Sequence, residues 1–160
     1  MIGGGEGSQI GTAHRLGAGL DGLFAFRAGA LDHRADAGRA YGRRLGLTPD
    51  RAYGDWREML EGERGRADRI DLVTVATPNA THFEITRAFL QAGFHVMCEK
   101  PMTMTVEEGE EIVRVAQKSG KICAVNYCYS AYPMVRQARA MVRAGEIGKV
   151  RLVVTNFSHG

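Results

Sequence analysis

Two short polar clusters each close an apolar run, and both have the composition of a reactive site. Phe94 to Cys98 leads into Glu99-Lys100-Pro101, and Asp71 to Thr77 leads into Pro78-Asn79. A lysine ammonium at a strand end can hydrogen-bond a ribose or substrate hydroxyl and stabilise charge that develops as hydride leaves, and Glu99 beside it can position it. The bland alternative for Glu99 and Lys100 is a surface pair in an X-Pro turn. Pro78 pre-sets the turn out of its strand, Asn79 can cap the following helix, and Thr77 offers a hydroxyl to a diphosphate or ribose. His82 falls in the first turn of that helix and reads either as a site residue or as a structural histidine. Lys100-Pro101 is also a candidate cis bond, although most X-Pro bonds are trans.

A third cluster opens the chain. Gly5-Glu6-Gly7-Ser8-Gln9-Ile10-Gly11 reads G-x-G-x-x-x-G, one residue longer than the usual dinucleotide fingerprint. Such a turn needs glycine for positive φ and for close approach of backbone amides to a pyrophosphate at a helix N-terminus. About twenty residues on, Asp32 stands where an acid binds adenosine ribose hydroxyls, or it caps the following helix. Its carboxylate would repel a ribose phosphate and leans the choice toward NAD. His33 and Arg34 beside it keep NADP open, because a guanidinium fork matches phosphate oxygens.

These clusters need strands and helices to carry them. The patterning predicts a helix from Ser8 to Gly19, a strand from Leu23 to Leu31, a helix from Ala35 to Leu45, a short strand from Asp50 to Tyr53 and a short helix from Trp56 to Leu60. There follow a strand from Asp71 to Thr77, a helix from Ala80 to Ala92, a strand from Phe94 to Cys98, a helix from Val106 to Ser119 closed by Gly120, and a strand from Lys121 to Asn126. This alternation specifies an α/β fold with a doubly wound, mostly parallel Rossmann-type sheet, whose ligand sites lie at the carboxyl ends of the strands. Residues 1–128 form that domain. Residues 129–160 hold a helix, Ala131 to Ala144, and a strand, Val150 to Phe157. Tyr127, Tyr129 and Tyr132 either pack at the junction or wall a pocket. Only Met1 and Ile2 precede the glycines, so the first strand is expected to be largely missing through truncation, with an unpaired sheet edge that promotes association.

Composition narrows the function classes. The 160 residues are 44% hydrophobic and 24% charged, enough for one ordinary core. A net charge of +3 with interleaved signs describes a solvated surface and gives no reason to invoke nucleic acid. Cys98, Cys123 and Cys128 form no ligand or CxxC pattern, so no metal is expected and a reducing cytoplasm is the default compartment. No apolar run is long enough to cross a membrane. His14 and His95 have no companion ligands in the sequence and read as structural.

The glycine turn, Thr77-Pro78-Asn79 and Glu99-Lys100-Pro101, in this order and over nearly the whole chain, resemble the Gfo/Idh/MocA oxidoreductase family. The resemblance implies an NAD(P)-dependent dehydrogenase that moves hydride between the cofactor and a secondary alcohol or ketone of a sugar, cyclitol or related polyol. It implies a family histidine near His82, a second α+β domain beginning at the last strand, and a homo-oligomer in the full-length parent. In the family that second domain supplies an Asp and a His for substrate and proton transfer, so the catalytic set in this chain is expected to be incomplete. A non-catalytic nucleotide-binding or regulatory protein, or an inactive gene fragment, is the alternative.

Overall fold

The computed structural model describes residues 1–158. Four strands form one parallel sheet: β1 (Ile2–Gly3), β2 (Leu72–Ala76), β3 (His95–Glu99) and β4 (Cys123–Asn126), in the spatial order β1-β2-β3-β4. Val75 lies opposite Ile2 and Cys98, while Cys98 lies opposite Val125, so all four strands end at the same edge. The helices are α1 (Gln9–Gly19), α2 (Ala35–Arg44), α3 (Trp56–Arg64), α4 (His82–Gln91), α5 (Val106–Ser119) and α6 (Pro133–Arg143). The expected α/β Rossmann-type alternation is therefore present.

The first strand is short but occupied, which corrects the expectation of an open edge. Ile2 pairs with Val75 on one side and bridges Ala30 on the other. The Met1 nitrogen donates to the Ala28 carbonyl at 2.8 Å, and Gly3 N–H donates to the Ala30 carbonyl at 2.9 Å. Met1 and Ile2 are both buried.

The expected strand from Leu23 to Leu31 shrinks to bridges at Gly29 and Ala30, because only there does the chain run beside β1 and Ala52. Leu23 and Phe24 are largely exposed. The expected strand from Asp50 to Tyr53 is instead a 3₁₀ turn, Pro49–Arg51, followed by Ala52 bridging to Gly29. Proline at the start of that turn has its φ pre-set for a helical turn, which favours this outcome over an extended one. The helix from Trp56 runs on to Arg64, capped by Asp55, whose carboxylate accepts the N–H groups of Arg57 and Glu58.

α5 has the predicted bounds because both ends carry their own signals. Thr105 accepts the Glu108 N–H at one end, and Gly120 adopts φ +65° at the other. Val73, Val75, Val96 and Cys98 line the buried side of the sheet with Ile85, Phe89, Leu90 and Phe94, and the Phe89 and Phe94 ring centroids are 5.6 Å apart. A second cluster ties the segment after α3 to this core. Fully buried Glu63 accepts the Tyr53 hydroxyl at 2.9 Å and the Ile70 N–H at 3.1 Å, with Arg51 Nε 3.4 Å away.

The chain divides into two compact units, Met1–Asn126 and Tyr127–Gly160. In the second, α6 begins at Pro133, and Tyr129 and Tyr132 meet edge to face with centroids 5.4 Å apart. The strand expected from Val150 to Phe157 is absent over these residues; Leu152, Val153 and Val154 are exposed and the backbone is irregular. An extended segment becomes a strand only with a partner ladder, and the described residues of this unit contain no strand. No helix among the described residues is long and apolar enough to cross a membrane.

Candidate functional site

The glycine turn is set by backbone contacts. Gly3, Gly4 and Gly7 have φ values of +72°, +67° and +78°, in the region that glycine enters without strain. Gly11, in the first turn of α1, lies against Gly4, where a Cβ would come 2.3 Å from the Gly4 carbonyl oxygen. A Cβ on Gly5 would come 2.6 Å from the Leu31 carbonyl oxygen. Ser8 caps α1 by accepting the Gly11 N–H at 3.1 Å. The N–H groups of Gln9 and Ile10 keep no partner among the described residues, as the first turn of a helix leaves them. A positive-φ turn with open space around Gly7, leading into free amides, is the shape and polarity a diphosphate fits. Gly4, and Arg15, whose guanidinium donates to the Gly4 carbonyl at 2.8 Å and to the Tyr41 hydroxyl at 2.9 Å, complete the turn. Sequence reasoning placed Gly4 in the Gly-rich opening without giving it a role, and did not name Arg15.

Asp32 follows the bridge at Ala30, across β1 from β2. Its Oδ1 accepts the Arg34 N–H at 2.9 Å and lies 3.3 Å from both Arg34 Nε and His33 Nδ1. The Arg34 backbone N–H, followed by its side chain, holds the Asp32 carboxyl below the usual carboxylate range. Asp32 therefore closes a local turn and does not cap α2, whose N-cap is Arg34 without a side-chain bond. Its Oδ2 has no donor among the described residues and lies on the side of Gly5, 3.5 Å from where a Cβ there would be.

Past β2, Thr77 and Pro78 make the expected turn, but Asn79 does not cap the helix. Its side chain is exposed and starts a 3₁₀ turn, Asn79–Thr81, while the Thr81 hydroxyl bonds Thr77 Oγ1 at 2.8 Å. His82 is 1% exposed, with Nδ1 2.6 Å from the Pro101 carbonyl and Nε2 2.9 Å from the Thr77 carbonyl. It fastens the Thr77 turn to the turn after β3, where Lys100-Pro101 is cis.

Glu99 ends β3 opposite Asn126, the last residue of β4. The sequence reading expected it to position the Lys100 ammonium, but it bonds other groups. Its Oε1 accepts His14 Nε2 at 2.7 Å and Asn126 Nδ2 at 2.5 Å, and its Oε2 accepts the Lys100 backbone N–H at 3.2 Å. Burial alone would push the Glu99 carboxyl up, but the bonds from Asn126 and His14, the His14 charge and the Lys100 N–H outweigh it and hold it below the ordinary range. The exposed Lys100 side chain has no bonded partner among the described residues. His14, read as structural from sequence, instead joins α1 to the end of β3. The available signal was its place one helical turn past Gly11, on the side of α1 that faces the sheet edge. No cluster of histidine, cysteine or carboxylate side chains capable of holding a metal occurs among the described residues.

The model of an oxidoreductase family with an NAD-binding Rossmann fold, that of Gfo/Idh/MocA, matches residues 1–127. The uncharacterized oxidoreductase YfiI of Bacillus subtilis (strain 168) is 45% identical over 161 residues, covering 100% of this chain and 41% of that protein. An inositol dehydrogenase homolog from Azotobacter vinelandii, solved with NADH and myo-inositol, superposes with a TM-score of 0.92 at 48% identity, over 94% of this chain and 40% of that one. A mutant of a 3-ketoreductase from Actinomadura kijaniata, solved with TDP-benzene and NADP, superposes with a TM-score of 0.74 at 28% identity, over 94% and 44%. The chain thus spans about two fifths of the length of the relatives it matches.

Proposed function

The chain belongs to the Gfo/Idh/MocA oxidoreductase family, and we propose that it is the dinucleotide-binding module of an NAD(P)-dependent dehydrogenase acting on a secondary alcohol or ketone of a sugar, cyclitol or related polyol. The observation that carries this reading is the convergence of the glycine turn, Thr77 and Glu99-Lys100 at the carboxyl ends of β1, β2 and β3. Open parallel sheets bind dinucleotides across that edge. The relatives solved with myo-inositol and with NADP support the substrate class and both cofactor forms.

In this reading the Gln9 and Ile10 amides and the Gly5-Gly7-Gly11 turn take the diphosphate, with Ser8 holding the start of α1. Asp32 takes the adenosine ribose, beside His33 and Arg34. Thr77, Pro78 and Asn79 wall the nicotinamide ribose, with His82 holding their turn. The bound cofactor supplies hydride acceptance or donation at its nicotinamide ring. The Lys100 ammonium hydrogen-bonds the reacting hydroxyl and stabilises its developing charge, which acts in the transition state more than in the ground state. The segment from Tyr127 onward is the start of the substrate domain. Three free cysteines support a reducing, cytoplasmic location.

Calorimetric titration with NADH and NADPH tests the reading. Saturable binding with a nicotinamide fluorescence change is expected, and a sample folded by circular dichroism that binds neither would remove it.

A further inference from the structure

We infer that Arg15 is a positioning residue for the cofactor's diphosphate: it turns the Gly5 N–H toward that group and sets a positive charge behind the glycine turn. The inference rests on the dinucleotide reading above and gives a task to a side chain which that reading leaves unused. Arg15 stands six residues past Gln9, the start of α1, so its Cα lies about 9 Å down the helix axis from the free amides. Helical side chains lean back toward the N-terminus, and its Nη1 donates to the Gly4 carbonyl at 2.8 Å. That oxygen is thereby drawn down alongside α1. In a trans peptide the N–H points opposite to the preceding carbonyl. The Gly5 N–H, which has no partner among the described residues, therefore faces the end of α1 where the Gln9 and Ile10 amides are free. Turned over, the same peptide would present an oxygen to the diphosphate in place of a donor.

Charge points the same way. Among the guanidiniums around the turn, Arg34 is answered by Asp32 at 3.3 Å, and Arg44 by Glu6, the turn's own carboxylate, at 2.5 Å. The half-buried Arg15 has no carboxylate at ion-pair distance among the described residues. Its oxygen partners are the Gly4 carbonyl and the hydroxyls of Thr12 at 3.2 Å and Tyr41 at 2.9 Å, none of them charged. A partly desolvated cation interacts with a nearby anion far more strongly than it would in water, and a diphosphate over the turn is that anion. Tyr41 of α2 holds the guanidinium in place: its hydroxyl accepts from Nη2 while Nη1 bonds Gly4, and its ring centroid lies 5.5 Å from the guanidinium carbon. A lysine would keep the charge but lose the planar fork that reaches both oxygens at once.

Affinities of the full chain for NADH, ADP-ribose and adenosine test this, with adenosine read by competition against NADH fluorescence. In Arg15→Met, NADH and ADP-ribose, which share the diphosphate, should both weaken by about 30-fold, while adenosine, which lacks it, stays within about twofold. Arg15→Lys keeps the charge and should recover most of the loss. Tyr41→Phe should weaken NADH by about threefold in the wild-type background and no further in Arg15→Met, because its hydroxyl acts through the guanidinium. Equal loss of all three ligands would mean that Arg15 only supports the local fold, and would overturn the inference. NADH binding at wild-type strength in Arg15→Met, or Arg15→Lys as weak as Arg15→Met, would overturn it too. Should Arg15→Met fail to fold, Arg15→Gln takes its place and is judged by the same ratio of NADH to adenosine loss. If folded wild-type chain binds none of the three ligands, the dinucleotide reading fails and this inference falls with it; wild-type binding with any of the overturning patterns removes this inference alone.

Discussion

Gly11 and Gly4 touch backbone to backbone, with the space for a Gly11 Cβ lying 2.3 Å from the Gly4 carbonyl oxygen and 2.5 Å from the Gly4 Cα. No side-chain rotation relieves such a contact, because both obstructing atoms belong to the main chain. Gly11→Ala must push α1 away from the turn, moving the Gln9 and Ile10 amides and separating His14 from Glu99 together. The expected outcome is loss of NADH binding by about 100-fold or more, since a displaced turn forfeits several charge-assisted bonds at once. Gly7→Ala is the control. It has no neighbour within 4 Å of its Cβ position and bears only the strain of φ +78°, so its loss should be smaller. Fluorescence titration of both variants checks the ranking.

Glu63 and Tyr53 carry a second prediction, on stability. Glu63 is fully buried between the Tyr53 hydroxyl, the Ile70 N–H and Arg51. Burial, and then the bond to Glu63, pushes the Tyr53 phenol up to about 12. Glu63→Ala takes the buried carboxylate from the Arg51 guanidinium, itself 7% exposed, which keeps the exposed Asp68 at 3.1 Å, and should cost about 3 kcal/mol, the lower end for a broken buried pair. Tyr53→Phe removes one hydrogen bond but leaves the charge pair, and should cost about 1–3 kcal/mol. Urea denaturation with unchanged m-values tests the order; a larger loss for Tyr53→Phe would show that the hydroxyl, not the charge, anchors this segment.

What the sequence made legible was whatever each segment specifies locally. Thr105 and Gly120 bound α5 because cap and left-handed turn are properties of the residues themselves. Glu99 and Thr77 fell at strand ends because apolar runs announce β2 and β3. Leu23 to Leu31 misled because its apolar residues satisfy a strand pattern without a neighbouring strand, and only Gly29 and Ala30 lie beside one. The two residues of β1 gave too short a pattern to register, though burial between Val75 and Ala30 makes them a strand. His14 was missed for the same reason. Its partner is 85 residues away, and only the docking of α1 at the sheet edge brings the two together.

Acid sensitivity follows from Glu99. Its carboxyl is held below the usual range in the fold by Asn126, His14 and the Lys100 N–H, against the opposing effect of burial. The unfolded chain therefore binds a proton at higher pH than the folded one. The stabilisation is full above the unfolded carboxylate range and is lost as pH falls through that range toward the folded value. Glu99→Gln lacks this proton uptake. Plotted against pH, its unfolding free energy should decline less steeply on the acid side than that of wild type, with the two slopes converging near neutrality. Parallel curves down to the acid limit would show that these contacts do not lower the Glu99 carboxyl below its unfolded range.

Cofactor choice turns on how Arg34 is held. Its backbone N–H and guanidinium both bond Asp32 Oδ1, leaving Oδ2 free on the side of Gly5. A free carboxylate oxygen accepts a ribose hydroxyl and repels a ribose phosphate, which favours NAD. The guanidinium is 71% exposed and its 3.3 Å contact is long, so turning it outward toward a phosphate costs little. Both cofactors should therefore bind, NADH more tightly. Arg34→Ala should weaken NADPH by about tenfold, the scale of a lost charge-assisted contact, and leave NADH within about twofold. Asp32→Ala should do the reverse, weakening NADH while relieving the repulsion that limits NADPH. Parallel titrations of the two variants read this directly: tighter NADPH than NADH binding in wild type, abolished in Arg34→Ala, would show that the cation rather than the carboxylate governs the ribose pocket.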